Sequence, residues 1–184
     1  MKVTPTELPD VLLIEPKVHG DQRGWFVESF HRERYRDAGI ALDFVQDNMS
    51  YSARGTLRGL HIQNPHSQGK LVQVIAGEVF DVAVDARRDS PHFGRWTGAH
   101  LSADNKHQLW VPPGFLHGFL VLSNTALFSY KCTDLYHPQA ELSVRWDDPD
   151  IGIRWPLDSG APSLSEKDRN APLLRDIPRA RLPD

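Results

Sequence analysis

The chain reads as an all-β sandwich or barrel with a few short helices. Short runs rich in β-branched and aromatic residues recur along it, Gly, Pro, Asn and Asp punctuate them, and almost no stretch carries a helical period. Strands are expected over residues 25–30, 44–50, 56–63, 70–75, 79–85, 108–111, 117–122 and 126–133. The run 79–85 (VFDVAVD) is the most strand-like. Phe80, Val82 and Val84 make one apolar face, while the other carries Val79 and Ala83 together with Asp81 and Asp85. Residues 31–38 (HRERYRDA) fit a short helix stopped by Gly39. Ser163 and Glu166 fit a capping box that opens a turn or two of helix near Lys167 and Asp168. From about residue 161 the chain is rich in Pro and charge and is expected to wrap the surface. No boundary divides residues 1–184, so a single domain is expected.

Composition narrows the function. The 184 residues carry a net charge of −3, which does not suit a nucleic-acid binder with a basic face. No apolar run is long enough to span a membrane, and the N-terminal residues lack the apolar core of a signal peptide. Cys132 is the only cysteine, so no disulfide can form within the chain. A reducing, cytoplasmic setting is the simplest expectation.

Four groups of residues can carry chemistry. The first is Arg58-Gly59-Leu60-His61, followed by Gln68-Gly69-Lys70. A neutral imidazole takes a proton near pH 7, and a carboxylate beside it fixes its tautomer; Asp81 and Asp168 are both candidate partners. Strict alternation puts Arg58 and His61 on opposite faces, unless Gly59 hosts a bulge or Arg58 serves a second subunit. In the second group, Pro112, Gly114 and His117 form a P-x-G-x-x-H turn, similar to the second motif of cupin barrels, which aims its His inward. The first cupin motif supplies an H-x-H pair. Here the string is His61-Ile62-Gln63-Asn64-Pro65-His66, in which the second His is missing and His66 falls in a loop. No metal and no cofactor is expected, because the string offers no converging ligand set. The third group centres on Tyr130, whose phenol suits an acid that meets a carbanion or enolate. Alternation turns Lys131 away from it. In the fourth, Arg23 and Arg58 can fork onto a diphosphate, and Glu28 with the run Gln46, Asp47, Asn48 can pair with a base or sugar.

In combination these strings resemble the dTDP-4-dehydrorhamnose 3,5-epimerase family. The resemblance covers about residues 14–174 and is carried by GDQRGWFVESF, FVQDNMSYSARGTLRGLHIQ, QGKLVQVIAGEVFDVAVDARRDSPHFG, LSADNKHQLWVPPGFLHGF, YKCTDLYHP and LSEKD. It implies a double-stranded β-helix, the jelly-roll or cupin-like barrel, and a homodimer acting on a dTDP-4-keto-6-deoxy sugar in dTDP-L-rhamnose formation. It also implies roles. His61 is the base and Tyr130 the acid on the opposite face of the sugar. Lys70 steadies the enolate oxygen, and Asp168 or Asp81 orients His61. Arg23, Glu28, Gln46, Asn48, Arg58, His117, Glu141 and Lys167 line the nucleotide-sugar site, and Tyr136 stacks on the thymine. Relatives that epimerise one carbon only, or isomerise the keto group, share the His/Lys/Tyr set. A non-catalytic cupin-like binding domain would have no use for it. The chain departs from the family at Ile62, where an aromatic is usual, at Leu116, where Ala is usual, and in a shorter loop at Asn64-Pro65-His66-Ser67.

Overall fold

The structure, a computed structural model, describes residues 1–158 and 160–184. Antiparallel strands dominate it. A six-stranded sheet has the order β1 (Lys2–Pro5), β2 (Leu12–Glu15), β10 (Gln108–Val111), β7 (Lys70–Ala76), β12 (Thr125–Cys132), β5 (Gln46–Ala53). A five-stranded sheet has the order β13 (Glu141–Ser143), β6 (Leu57–Gln63), β11 (Phe115–Val121), β8 (Glu78–Asp85), β9 (Trp96–Ser102). A separate hairpin joins β3 (Val18–Asp21) to β4 (Gly24–Val27). Helices are short: α1 (Arg32–Asp37), α2 (Glu166–Arg169) and three 3₁₀ turns. No helix among the described residues is long and apolar enough to cross a membrane.

Strand neighbours are mostly distant in sequence, as in a jelly roll, where chain segments cross between two facing sheets. The space between the sheets holds one core, with Val72, Val74, Leu109 and Phe128 from one sheet meeting Val79, Ala83, Phe115 and Phe119 from the other. Phe119 and Phe128 stack across it, ring centres 4.1 Å apart and 19° from parallel. Burial of such side chains contributes roughly 1.5–3 kcal/mol each.

β8 shows why its run carries apolar residues at almost every position. Val79 and Ala83 face the interior, whereas Val82 and Val84 pack on the outer face beneath Leu174, Ile177 and Leu182 of the C-terminal segment. The far side of the six-stranded sheet is covered by α1 and its flanks, through Tyr35 and Ile40 against Leu71 and Trp110. His31 caps α1, and the Tyr35 hydroxyl, 1% exposed, donates to Gln108 Oε1 at 2.7 Å.

Two local expectations shift. Ser163 is not the cap of α2. Ser165 is, its Oγ accepting from the Asp168 amide at 3.1 Å. Ser163 is drawn into the sheet instead, where its carbonyl accepts from Leu57 and its amide donates to Gly55. This bridge ties the C-terminal segment to the start of β6 and delivers α2 to the barrel mouth. The alternation conflict between Arg58 and His61 is resolved by a bulge. His61 pairs with His117 and Arg58 with Phe119, so β6 spends three steps where β11 spends two. Gly59 is required there: its φ is +126°, and a Cβ would sit 2.6 Å from Gly118 Cα.

Candidate active site

A cavity of about 770 Å³ opens at the end of the barrel, within the range of sites that hold small ligands. Its walls follow from strand parity. On the five-stranded sheet, the bulge brings both Arg58 and His61 to the cavity, next to His117. The turn around Gly114, at φ +91°, connects β10 to β11 and leads into His117. On the six-stranded sheet, Gln46, Asn48 and Ser50 share one face of β5, and Lys70 and Tyr130 line the same wall from β7 and β12. Tyr136, Glu141 and Lys167 join the lining. Glu141 accepts from Lys167 Nζ at 2.9 Å and from the Tyr136 hydroxyl at 3.3 Å.

Two histidine–carboxylate pairs lie on one wall. His61 Nε2 is 2.5 Å from Asp168 Oδ1. His117 Nε2 is 3.0 Å from both oxygens of Asp81. Of the two partners that the sequence offers His61, Asp168 therefore holds that place and Asp81 serves His117. Asp81 cannot do both, because it sits on β8 opposite Phe119, one β11 neighbour removed from β6. Burial pushes the Asp168 carboxyl up, but hydrogen bonds from His61, Ser165 and the Gly59 amide outweigh it and hold the group below its ordinary range. Asp81 is fully buried and moves up, burial prevailing over the attraction of His117 and Lys70.

The opposite wall carries a donor and a cation. Burial raises the Tyr130 phenol, so it keeps its proton well above neutral pH. Burial lowers the Lys70 ammonium, with Cys132, Asp81 and Glu141 opposing that shift. Lys70 Nζ has no hydrogen-bond partner among the described residues, which leaves its donors for a ligand.

Comparison with known proteins fits this site. A sequence model of the family described as dTDP-4-dehydrorhamnose 3,5-epimerase matches residues 5–176. The chain belongs to the dTDP-4-dehydrorhamnose 3,5-epimerase family. The family's protein from Pseudomonas aeruginosa is 55% identical over 177 residues, covering 96% of this chain and 97% of its own. The crystal structure of dTDP-6-deoxy-D-glucose-3,5-epimerase from Legionella pneumophila, in complex with dTDP-4-keto-L-rhamnose, superposes with a TM-score of 0.96 at 53% identity, covering 99% of this chain and 97% of that one. A 3′-monoepimerase from Streptomyces bikiniensis, in complex with dTDP-quinovose, superposes with a TM-score of 0.90 at 38% identity, covering 97% and 91%. These solved epimerases carry the jelly-roll fold, and this chain shares it.

Four residues that the family resemblance or the strings nominate do not line the cavity of their own chain: Asp81 is fully buried behind His117, and three others lie outside. Asp47 points out of the sheet between inward Gln46 and Asn48 and pairs with Lys131 at 3.0 Å. Arg23 lies in the exposed turn of the β3–β4 hairpin, bound to Asp21. Glu28, just past the hairpin, pairs with Arg34 of α1 at 2.7 Å. Conversely, Ser50 was within reach of sequence reasoning, because it continues the parity of residues 46 and 48. Ser50 lines the cavity, and its Oγ is buried without a hydrogen-bond partner among the described residues. Gln63 and Gln68, which the strings contain without a role, also line it, and their amides bind backbone carbonyls.

Proposed function

We infer that this member of the family is an isomerase that converts dTDP-4-dehydro-6-deoxy-D-glucose to dTDP-4-dehydro-L-rhamnose, inverting C3 and C5 in turn. One observation carries the assignment of roles: the His61–Asp168 pair on one wall of a single cavity, with Tyr130 and Lys70 on the facing wall.

The chemistry follows from the ketone at C4, which makes the hydrogens at C3 and C5 acidic. Nε2 of His61 shares its proton with Asp168, leaving Nδ1 as the basic nitrogen. His61 takes the proton from C3, and the electron pair of the broken C–H bond moves onto O4 as an enolate. The Lys70 ammonium, free of protein partners, neutralises that charge in a pocket from which water is largely displaced. The enolate carbon is planar. Tyr130 returns a proton from the other side, and the configuration inverts. His61 then loses its proton to solvent and the tyrosinate regains one, so nothing is consumed. Repetition at C5 completes the product. Arg58 suits the diphosphate and Tyr136 the thymine, at the cavity edge.

Proton NMR in D₂O tests this reaction. The expected result is deuterium at both C3 and C5 of an L-rhamno product. Inversion at only one carbon would place the chain with the monoepimerases instead; the higher identity to the 3,5-epimerases argues for both.

We read the active form as a homodimer located in the cytoplasm. Its one cysteine, Cys132, is free and buried, which is compatible with that compartment. Trp25 and Phe26 on the hairpin, and Met49 and Tyr51 on β5, are each at least 60% exposed, large apolar side chains of the kind that subunit interfaces cover. A second copy covering them gives Arg23 and Glu28 a neighbour's cavity to enter. Co-expression of Arg23→Ala with His61→Asn tests this: mixed dimers then contain one intact site, and activity should exceed that of either variant alone. If Arg23 serves its own chain, or the protein sediments as a monomer, no such rescue occurs.

A further inference from the structure

Outside the cavity lining, three side chains converge that the sequence keeps far apart. His66 Nδ1 lies 3.5 Å from Asp134 Oδ2, and His137 Nε2 lies 3.9 Å from Asp134 Oδ1. The two imidazoles stack with centres 4.0 Å apart and planes 17° from parallel. One ligand atom from each of the three residues falls within 4.8 Å of the others. These separations are too long for good hydrogen bonds. They are close to the roughly 3.3 Å between ligand atoms around a tetrahedral ion with bonds near 2.0–2.1 Å.

The backbone beneath the cluster is held in place. Gln63, 3% exposed, donates to the carbonyls of His66 at 2.8 Å and Leu135 at 3.1 Å, and accepts from the His137 amide at 2.7 Å. Gln68, also buried, donates to the Asp134 carbonyl at 2.8 Å. Two buried amides therefore fix the main chain at all three residues. Asp134 Oδ1 accepts from the Leu135 amide at 2.7 Å, and its remaining lone pairs stay free. No lysine or arginine among the described residues pairs with this carboxylate.

The geometry points to a surface site in which His66, Asp134 and His137 bind a divalent first-row transition ion of the Zn²⁺ type, water completing the shell. Two imidazoles and one carboxylate select such an ion over Mg²⁺ or Ca²⁺, which prefer all-oxygen shells. The string after His61 lacks the H-x-H pair of a cupin metal motif; the present set forms only when the loop at His66 meets the segment after β12. The ion would clip the two together beside Tyr136, and it takes no part in the proton transfers.

The test uses the untagged chain, stripped with chelator and titrated with Zn²⁺ by calorimetry. Wild-type protein should take up about one equivalent per chain, and its melting temperature should rise with Zn²⁺, because an ion that binds only the folded state stabilises it. His66→Ala and His137→Ala should each weaken uptake at least about tenfold and remove the thermal shift. Both side chains are partly exposed, so circular dichroism should show the fold unchanged. No saturable uptake by the wild type, or undiminished uptake by either variant, would overturn the assignment and leave a plain histidine stack on a carboxylate.

Discussion

His61→Asn should lower turnover by about 10²- to 10⁴-fold, the usual worth of a positioned general base, while dTDP affinity changes little. Asparagine retains an amide near Asp168, so the buried carboxylate keeps a donor and the wall keeps its shape. The asparagine side chain itself cannot accept a proton near neutral pH. Solvent deuterium should therefore fail to enter C3 or C5, as read by NMR, while calorimetry with dTDP reports near-normal binding. Retained exchange would end the assignment of His61 as base. Loss of dTDP binding along with exchange would point to a collapsed pocket instead.

Tyr130→Phe separates the two halves of the reaction. The ring is kept, including its contact with Phe128 at 5.9 Å, so packing is conserved and only the hydroxyl is lost. His61 and Lys70 still make and hold the enolate, and hydrogen exchange should persist. Delivery of the proton from the opposite face should fail, with inversion slowed by about 10²-fold or more. Exchange without inversion is the expected signature. An unchanged epimerisation rate would assign the acid to another group.

Much of this site was legible because strand parity and chemistry agree. Gln46 and Asn48 are separated by one residue and share a wall; His61 and His117 meet as cross-strand partners from two distant motifs. The failures have physical causes. Asp47 was grouped with its neighbours as a polar run, although period two turns it outward to Lys131. Arg58 and His61 looked incompatible because the bulge at Gly59 depends on a close backbone approach to Gly118, a tertiary fact. The cap of α2 moved from Ser163 to Ser165 because the backbone of Ser163 was claimed by β6.

Among whole elements, β10 (Gln108–Val111) has the bounds its apolar run predicts. β9 (Trp96–Ser102) was not expected: Gly98 and His100 interrupt its pattern, and Gly98 is there because the Phe80 ring lies 2.5 Å from where a Cβ would stand. β1, β2, β3 and β13 are three or four residues each, too short to show a period. The strand expected over residues 25–30 is realised as β4 (Gly24–Val27), one half of a hairpin whose Trp25 and Phe26 stay exposed, and it ends before Glu28.

Asp168 comes after all thirteen strands in chain order. During synthesis, a chain that has just completed β13 possesses every piece of barrel yet lacks the carboxylate that orients its imidazole. Competence thus arrives with the last stretch of polypeptide, once Ser163 has latched onto β6. A product clipped just before that latch would lose the carboxylate together with the apolar cover over Val82 and Val84.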